Sequence, residues 1–105
     1  MSLRGKKLGI LLSTAPNQPA FQHGLRLAEA ALEEGVEVYL DCVDEAVRGL
    51  AEPLLQALTA RGLKLFACAY GVQRRQIQRN EQAALAGLAS LSDVMAATDR
   101  FLSFN

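Results

Sequence analysis

The chain has 105 residues, of which 50% are hydrophobic, a length and composition typical of one domain with its own core. Its 11 basic and 11 acidic residues balance, and it contains no tryptophan. Because there is no excess of positive charge and few aromatic side chains are available to stack on bases, we expect no direct binding to nucleic acid.

The first third of the chain predicts a strand, a loop, a helix and a second strand. The apolar run over residues 7–13 has the length of a strand and is too short for a membrane span or a signal-peptide core, so we expect no membrane segment. Residues 13–19 form a breaker-rich loop, and residues 20–34 carry apolar side chains at helical spacing. Pro19 suits the first turn of that helix and Gly35 suits its C-cap, and the second strand follows at residues 36–40.

The middle of the chain repeats the order helix, glycine, strand. Residues 53–61 predict a helix, Gly62 its C-cap, and residues 63–68 a third strand. Such alternation predicts right-handed crossovers and a parallel sheet with helices on its faces. The nearly continuous apolarity of the strands agrees, because parallel strands are buried on both sides.

The last third is less regular. Residues 74–86 predict one helix, or two short ones that break near Asn80, and residues 87–89 predict a short strand. Ser90 and Asp93 have the Ser-x-x-Asp spacing of a helix start, so a helix to about Thr98 and a final strand at residues 101–104 are expected. Together these elements predict an α/β fold over residues 1–105. It is a single-domain, three-layer sandwich of the flavodoxin or Rossmann type, with about five mostly parallel strands flanked by helices.

Cys68 is the candidate reactive residue because it ends the third predicted strand, and ligands of open α/β sheets bind outside the carboxyl ends of the strands. The thiolate is the reactive form of cysteine, and nearby cations or a helix N-terminus favour it. We expect the next helix to begin near Gly71, which would bring its free N–H groups close to the sulfur. The candidate residues for binding a substrate or an anion are Ser13, Tyr70, Gly71, Arg74 and Arg75.

Other interpretations of these residues remain open. Cys68 is equally compatible with a small core hydrophobe, and the arginines with a solvated surface. Arg75 and Arg79 lie four positions apart, a repulsive spacing on a helix that favours a charged ligand or an interface. The acids after the second strand, Asp41, Asp44 and Glu45, are either part of a rim or ordinary loop residues.

Cys42 also lies at a strand end, which raises the question of a disulfide with Cys68. If the first strand lies between the second and third, two strand spacings separate the cysteines by about 10 Å, more than the roughly 7 Å that a disulfide allows between Cα atoms. We therefore expect Cys42 to be structural. Two free thiols suit a reducing compartment, so the cytoplasm is the expected location.

The sequence offers no metal or cofactor site. His23 is the one histidine and has no second ligand at a metal-binding spacing. The loop at residues 13–19 lacks both glycine-rich phosphate-binding signatures, so no nucleotide cofactor is expected.

The chain resembles the DsrE/DsrF-like sulfur-relay family over nearly its whole length. The similarity includes the strand at 8–13, the segments 28–32, 38–40 and 44–47, the strand at 62–68 and the closing residues 99–104. Its most specific part is Cys68 followed by Arg74 and Arg75, which is similar to the cysteine and downstream arginine pair of the family's sulfur-carrying subunits. The chain departs from that pattern at Gln76, where the carriers usually have a glycine, and at residues 44–47, where they have Asp-Gly-Val.

The resemblance implies a five-stranded parallel sheet between helices and subunits that assemble into trimers or hexamers. It also implies that Cys68 carries sulfur as a persulfide, exchanged with donor and acceptor proteins without a cofactor. The leading hypothesis is therefore a cytoplasmic, homo-oligomeric sulfur carrier or sulfurtransferase subunit. The alternatives are a non-catalytic oligomer that binds a small anion or a protein through Arg74, Arg75 and Arg79, and a redox sensor that uses both cysteines.

Overall fold

The fold is an alternation of strands and helices, described by a computed structural model for residues 2–78 and 82–105. The strands are β1 (Lys7–Leu12), β2 (Glu37–Cys42), β3 (Lys64–Cys68), β4 (Ala83–Ala86) and β5 (Arg100–Phe104). The helices are α1 (Pro19–Glu33), α2 (Pro53–Ala60), α3 (Ala69–Arg74) and α4 (Leu88–Ala97), with a 3-10 helix at Asp44–Gly49. None of the helices in this described part is both long and apolar enough to cross a membrane.

All five strands are parallel and lie in the order β4-β3-β2-β1-β5. This confirms the predicted α/β sandwich, but the expectation that β1 lies between β2 and β3 is wrong. The crossovers from β1 to β4 all step in one direction, so right-handed connections place α1, α2 and α3 on one face of the sheet. The crossover from β4 to β5 steps back and places α4 on the other face.

The main core lies between the sheet and α1 with α2. Alternate residues of β1 and β2, such as Ile10 and Leu40, point to this side and are fully buried. Phe21 and Leu25 of α1 meet them, four positions apart on one side of the helix. Pro19 occupies the first turn and Gly35, at φ +80°, ends the helix in the left-handed region, as the sequence predicts.

The opposite face of the sheet is covered less completely, because only α4 crosses it. Four large apolar or aromatic side chains of β1, β2, β3 and β5 that point there are half-buried rather than buried. They are Leu11, Tyr39, Phe66 and Phe101. Met95 of α4 remains largely exposed.

The region after Cys68 corrects the prediction in three places. The helix α3 begins at Ala69 rather than near Gly71, and Ala83–Ala86 is a strand where a helix was expected. The helix α4 begins at Leu88, so the predicted strand at 87–89 is wrong, while the predicted break at Asn80 lies outside the described residues. Alanine favours helices locally, but residues 83–86 pair with β3 along four positions, and this tertiary pairing overrides the local preference.

Candidate functional site

Cys68 is the last residue of β3 and also the N-cap of α3. Its Sγ accepts a hydrogen bond from the backbone N–H of Gly71 at 3.4 Å. The side chain is partly buried, so it lies at the edge of the core rather than inside it. This places the thiol at the carboxyl end of the sheet, where the sequence predicted it.

The two cysteines lie on neighbouring strands and on opposite faces. Cys42 pairs with Ala67, so those two residues share the face toward α1, and Cys68 points to the face toward α4. Both cysteines are free thiols. The predicted separation of the cysteines by two strand spacings is wrong, because β2 and β3 are direct neighbours. The alternation of side chains across the sheet separates the thiols instead.

Cys42 has no access to solvent and belongs to the main core. Burial, with a smaller contribution from the neighbouring Asp41 carboxyl, raises the pKa of the Cys42 thiol far above its ordinary value. A buried, protonated thiol is a poor nucleophile. Cys42 therefore behaves as a structural residue.

A pocket of about 110 Å³ opens beside Cys68 on the face that α4 covers. Three strands and two helices contribute to it, since β2, β3 and β4 end there and α3 and α4 begin there. Its lining consists of Asp41, Val43, Cys68, Tyr70, Ala86, Gly87 and Leu91. Most of these groups are apolar, and the polar side chains among them are those of Asp41, Cys68 and Tyr70.

Asp41 is the buried acid of this pocket. Only 5% of its surface is exposed, and its Oδ1 is buried without a hydrogen-bond partner among the residues that the structure describes. Burial raises the pKa of the Asp41 carboxyl to about 6. Asp41 is therefore unlike Asp44 and Glu45, with which the sequence groups it as a rim or loop acid. The sequence does contain a signal for this burial, because Asp41 interrupts an otherwise apolar stretch from Val38 to Val43.

Arg75 is engaged in an ion pair rather than placed beside the sulfur. Its Nε donates to Oε2 of Glu45, and its side chain is only 16% exposed. Glu45 also accepts from Nε of Arg48 at 2.8 Å, so the three side chains form a short charged chain over the 3-10 helix. The guanidinium of Arg75, and then that of Arg48, holds the pKa of Glu45 below its usual value.

The remaining predicted binding residues divide into two groups. Gly71, Tyr70 and Arg74 lie near Cys68. The N–H of Gly71 contacts the sulfur, and Tyr70 lines the pocket although it is 66% exposed. The hydroxyl of Tyr70 accepts a hydrogen bond from Nη1 of Arg74 at 3.1 Å. Ser13 is not brought to Cys68. Its hydroxyl donates to Oδ1 of Asn105, the residue after β5, at 2.6 Å. Ser13 itself follows β1, and β2 lies between β1 and β3 in the sheet. Arg79 lies outside the described residues.

Two further features lie away from Cys68. A larger cavity of about 510 Å³ opens at the amino ends of β1 and β5, between apolar residues of α1 and the strands, such as Leu8 and Leu27. Within residues 2–78 and 82–105, no three histidine, cysteine or acidic side chains come together as metal ligands. His23 is exposed on α1.

Comparison with known proteins agrees with this architecture. The model of the DsrE/DsrF-like family matches residues 6–104. The chain is also similar to the crystal structure of YchN from E. coli, with a TM-score of 0.82 and 19% identity, over 95% of this chain and 99% of that one. No curated protein matches the sequence.

Gln76, where the family's carriers usually have a glycine, has φ +54°. That value lies in the left-handed region that glycine adopts most easily. Gln76 therefore follows α3 in a backbone conformation that favours glycine.

Proposed function

Because the chain belongs to the DsrE/DsrF-like family, we propose that it is a sulfur carrier that holds sulfane sulfur as a persulfide on Cys68. The observation that carries the proposal is the different placement of the two cysteines. Cys42 is sealed in the core, whereas Cys68 lies at the mouth of a pocket with a backbone N–H directed at its sulfur. Of the two thiols, only Cys68 combines access with a hydrogen-bond donor.

Sulfur uptake is a thiol exchange on this residue. The Cys68 thiolate attacks the outer sulfur of a donor persulfide, a bond forms between the two sulfurs, and the donor leaves as its thiolate. An acceptor thiolate then attacks the outer sulfur of the Cys68 persulfide and takes it. Neither step requires a metal or an organic cofactor, because the sulfane sulfur only changes partners.

We further propose that the carrier works as a homo-oligomer, a trimer or a hexamer, in a reducing compartment such as the cytoplasm. The incompletely covered sheet face supports an oligomer, since Leu11, Tyr39, Phe66 and Phe101 are only half-buried there. Size measurement in solution tests this, and a monomer at all concentrations would contradict it.

The test of sulfur carrying is the intact mass of the protein after incubation with a sulfurtransferase and a sulfur donor. Wild type gains sulfur that a reductant removes, Cys68→Ser gains none, and Cys42→Ala, a control for the buried thiol, gains it as wild type does. Equal gain in Cys68→Ser, or no gain in wild type, contradicts the proposal.

The alternative is a non-catalytic oligomer that binds a small anion or a protein through Arg74, Arg75 and Arg79, of which Arg79 lies outside the described residues. Arg75 is paired with Glu45, which counts against its binding an anion, whereas Arg74 is exposed and its hydrogen-bond partner is the hydroxyl of Tyr70. Rapid alkylation of native Cys68 favours the carrier, and alkylation as slow as that of a buried thiol favours the binding protein.

A further inference from the structure

We propose that Asp41 is a catalytic residue that donates a proton to the outer sulfur of the Cys68 persulfide. The inference rests on the proposed function, since it assigns a role in the release of the sulfur that Cys68 carries. Two independent observations lead to it. One is the pocket that the two residues share, and the other is the Oδ1 atom of Asp41, which is buried without a partner among the described residues.

The sheet register places both side chains on the same face. Asp41 pairs with Phe66, two residues before Cys68, so Asp41 and Cys68 are diagonal neighbours on adjacent strands. The outer sulfur of a persulfide extends the Cys68 side chain by one atom. The pocket beside Cys68 is where that atom fits, and Asp41 is the acid in its lining.

Release of the sulfur needs a proton at this place. An acceptor thiolate is repelled by an outer sulfur that itself carries a negative charge. When the Asp41 carboxyl gives its proton to that sulfur, the persulfide becomes neutral and Asp41 becomes a carboxylate. The acceptor thiolate then bonds to the outer sulfur, and the bond between the two sulfurs of the persulfide breaks with its electron pair on Cys68 Sγ. The acceptor leaves as a protonated persulfide, and Asp41 regains a proton from water.

The surroundings of Asp41 leave its carboxyl able to hold that proton. Two titratable groups share the pocket with it, Cys68 on β3 and Tyr70 on α3, while the thiol of the next residue, Cys42, lies on the other face of the sheet. The described lining residues from β4 and α4, which are Ala86, Gly87 and Leu91, carry no charge. Within this described lining no cation is present to hold Asp41 as a carboxylate, and burial keeps its pKa at about 6.

The experiment follows sulfur release from a chain whose Cys68 persulfide has been installed with a low-molecular-weight persulfide donor and located by peptide mapping. Transfer to a small thiol is measured from about pH 5 to about pH 8, and each rate is divided by the concentration of the acceptor thiolate. In wild type this corrected rate is constant at low pH and falls as the pH rises above about 6. In Asp41→Asn it is roughly 100-fold lower at the acid end, and the inflection near pH 6 is absent.

Two variants separate proton donation from a structural role. Asp41→Glu retains a carboxyl and restores the dependence on pH, at a reduced rate. Asp44→Asn changes an exposed acid three positions further along and behaves as wild type. If Asp41→Asn releases sulfur at the wild-type rate, or is slower by a constant factor with the inflection retained, the role as proton donor is overturned.

Loading Cys68 chemically also distinguishes a failure of the sulfur-carrier proposal from a failure of the proposal that Asp41 donates a proton. If no sulfurtransferase loads Cys68 but chemically loaded protein shows the Asp41-dependent profile, the sulfur-carrier function is contradicted while the role of Asp41 is supported. If Cys68 takes up no sulfur from the small donor either, the pocket does not hold a persulfide and both proposals are overturned.

Discussion

Cys42 and Cys68 end neighbouring strands, yet their side chains point to opposite faces of the sheet. The pairing of Cys42 with Ala67 sets this relationship, because residues that pair in a parallel ladder share a face and the next residue along the strand takes the other one. One thiol is therefore sealed under α1, and the other meets the pocket under α4.

Mild oxidation is expected to produce no disulfide between the two cysteines. A disulfide requires Cβ atoms that point toward each other, which this arrangement does not provide. Peptide mapping under non-reducing conditions checks this, and a linked pair of peptides in the native monomer would support the redox sensor instead.

Brief alkylation of the native protein should label Cys68 and leave Cys42 unlabelled until the chain is unfolded. Cys68→Ser, as a control, should lose the native label.

Asp41→Asn is expected to change how stability depends on pH. The folded-state pKa of about 6 lies above the ordinary value of 3.8, so the folded chain binds this proton more tightly than the unfolded chain does. Stability from this group is fully present below pH 3.8 and declines as the pH rises to about 6. The amide does not titrate, so the variant lacks that decline, and its stability relative to wild type should be up to about 3 kcal/mol more favourable at neutral pH than in acid.

Denaturant unfolding of wild type and Asp41→Asn at a series of pH values measures this difference. Asp44→Asn is the matched control, since that acid is exposed, and this variant should retain the decline that Asp41 causes. If the curves of wild type and Asp41→Asn were parallel, the carboxyl of Asp41 would not be desolvated as described.

The Glu45 carboxyl is expected to titrate below its usual range, with Arg75 as the larger cause and Arg48 as the smaller. The stability that this group contributes is present above its unfolded pKa and is lost as the pH falls through the lowered folded pKa. Arg75→Gln should raise the pKa of Glu45 more than Arg48→Gln does. Side-chain NMR titration of the three proteins checks this order, and an unchanged Glu45 titration in Arg75→Gln would mean that the pair is not formed in solution.

Gly49→Ala is expected to destabilise the protein by about 1–3 kcal/mol. A Cβ at Gly49 would lie 2.4 Å from Cζ of Phe21, whose ring is fully buried. Gly71→Ala is the matched control, because it is also buried but its Cβ would meet no atom closer than 3.4 Å. Thermal or denaturant unfolding compares them, and equal losses at both positions would show that the contact with Phe21 is not the cause.

The first two thirds of the fold could be predicted because local and tertiary signals agree there. Pro19 and Gly35 mark the two ends of α1, and the apolar runs mark β1, β2 and β3. The strand order could not be predicted, since the direction of each crossover depends on packing between elements. Residues 83–86 misled the prediction because an alanine-rich edge strand has the composition of a helix and is held by pairing with β3.

The site was predictable where chain position alone determines it. The end of β3 fixes Cys68, and the next turn brings the N–H of Gly71 to its sulfur. The ion pair of Arg75 with Glu45 spans thirty positions, and Leu91 of α4, which lines the pocket with Asp41, lies fifty positions further along the chain. Contacts of this kind are visible only once the sheet is assembled.

The pairing of β1 with β5 sets the order in which this sheet is expected to form. Every other neighbouring pair of strands is consecutive along the chain, but the backbone N–H of Lys7 meets the Asp99 carboxylate across 92 positions. Closing so long a loop costs more entropy than any other pairing here, so β5 is expected to dock last during folding. Until it does, β1 is an open edge on which a strand of another chain can add, and the speed of that final step decides how long the nascent sheet is exposed to mispairing.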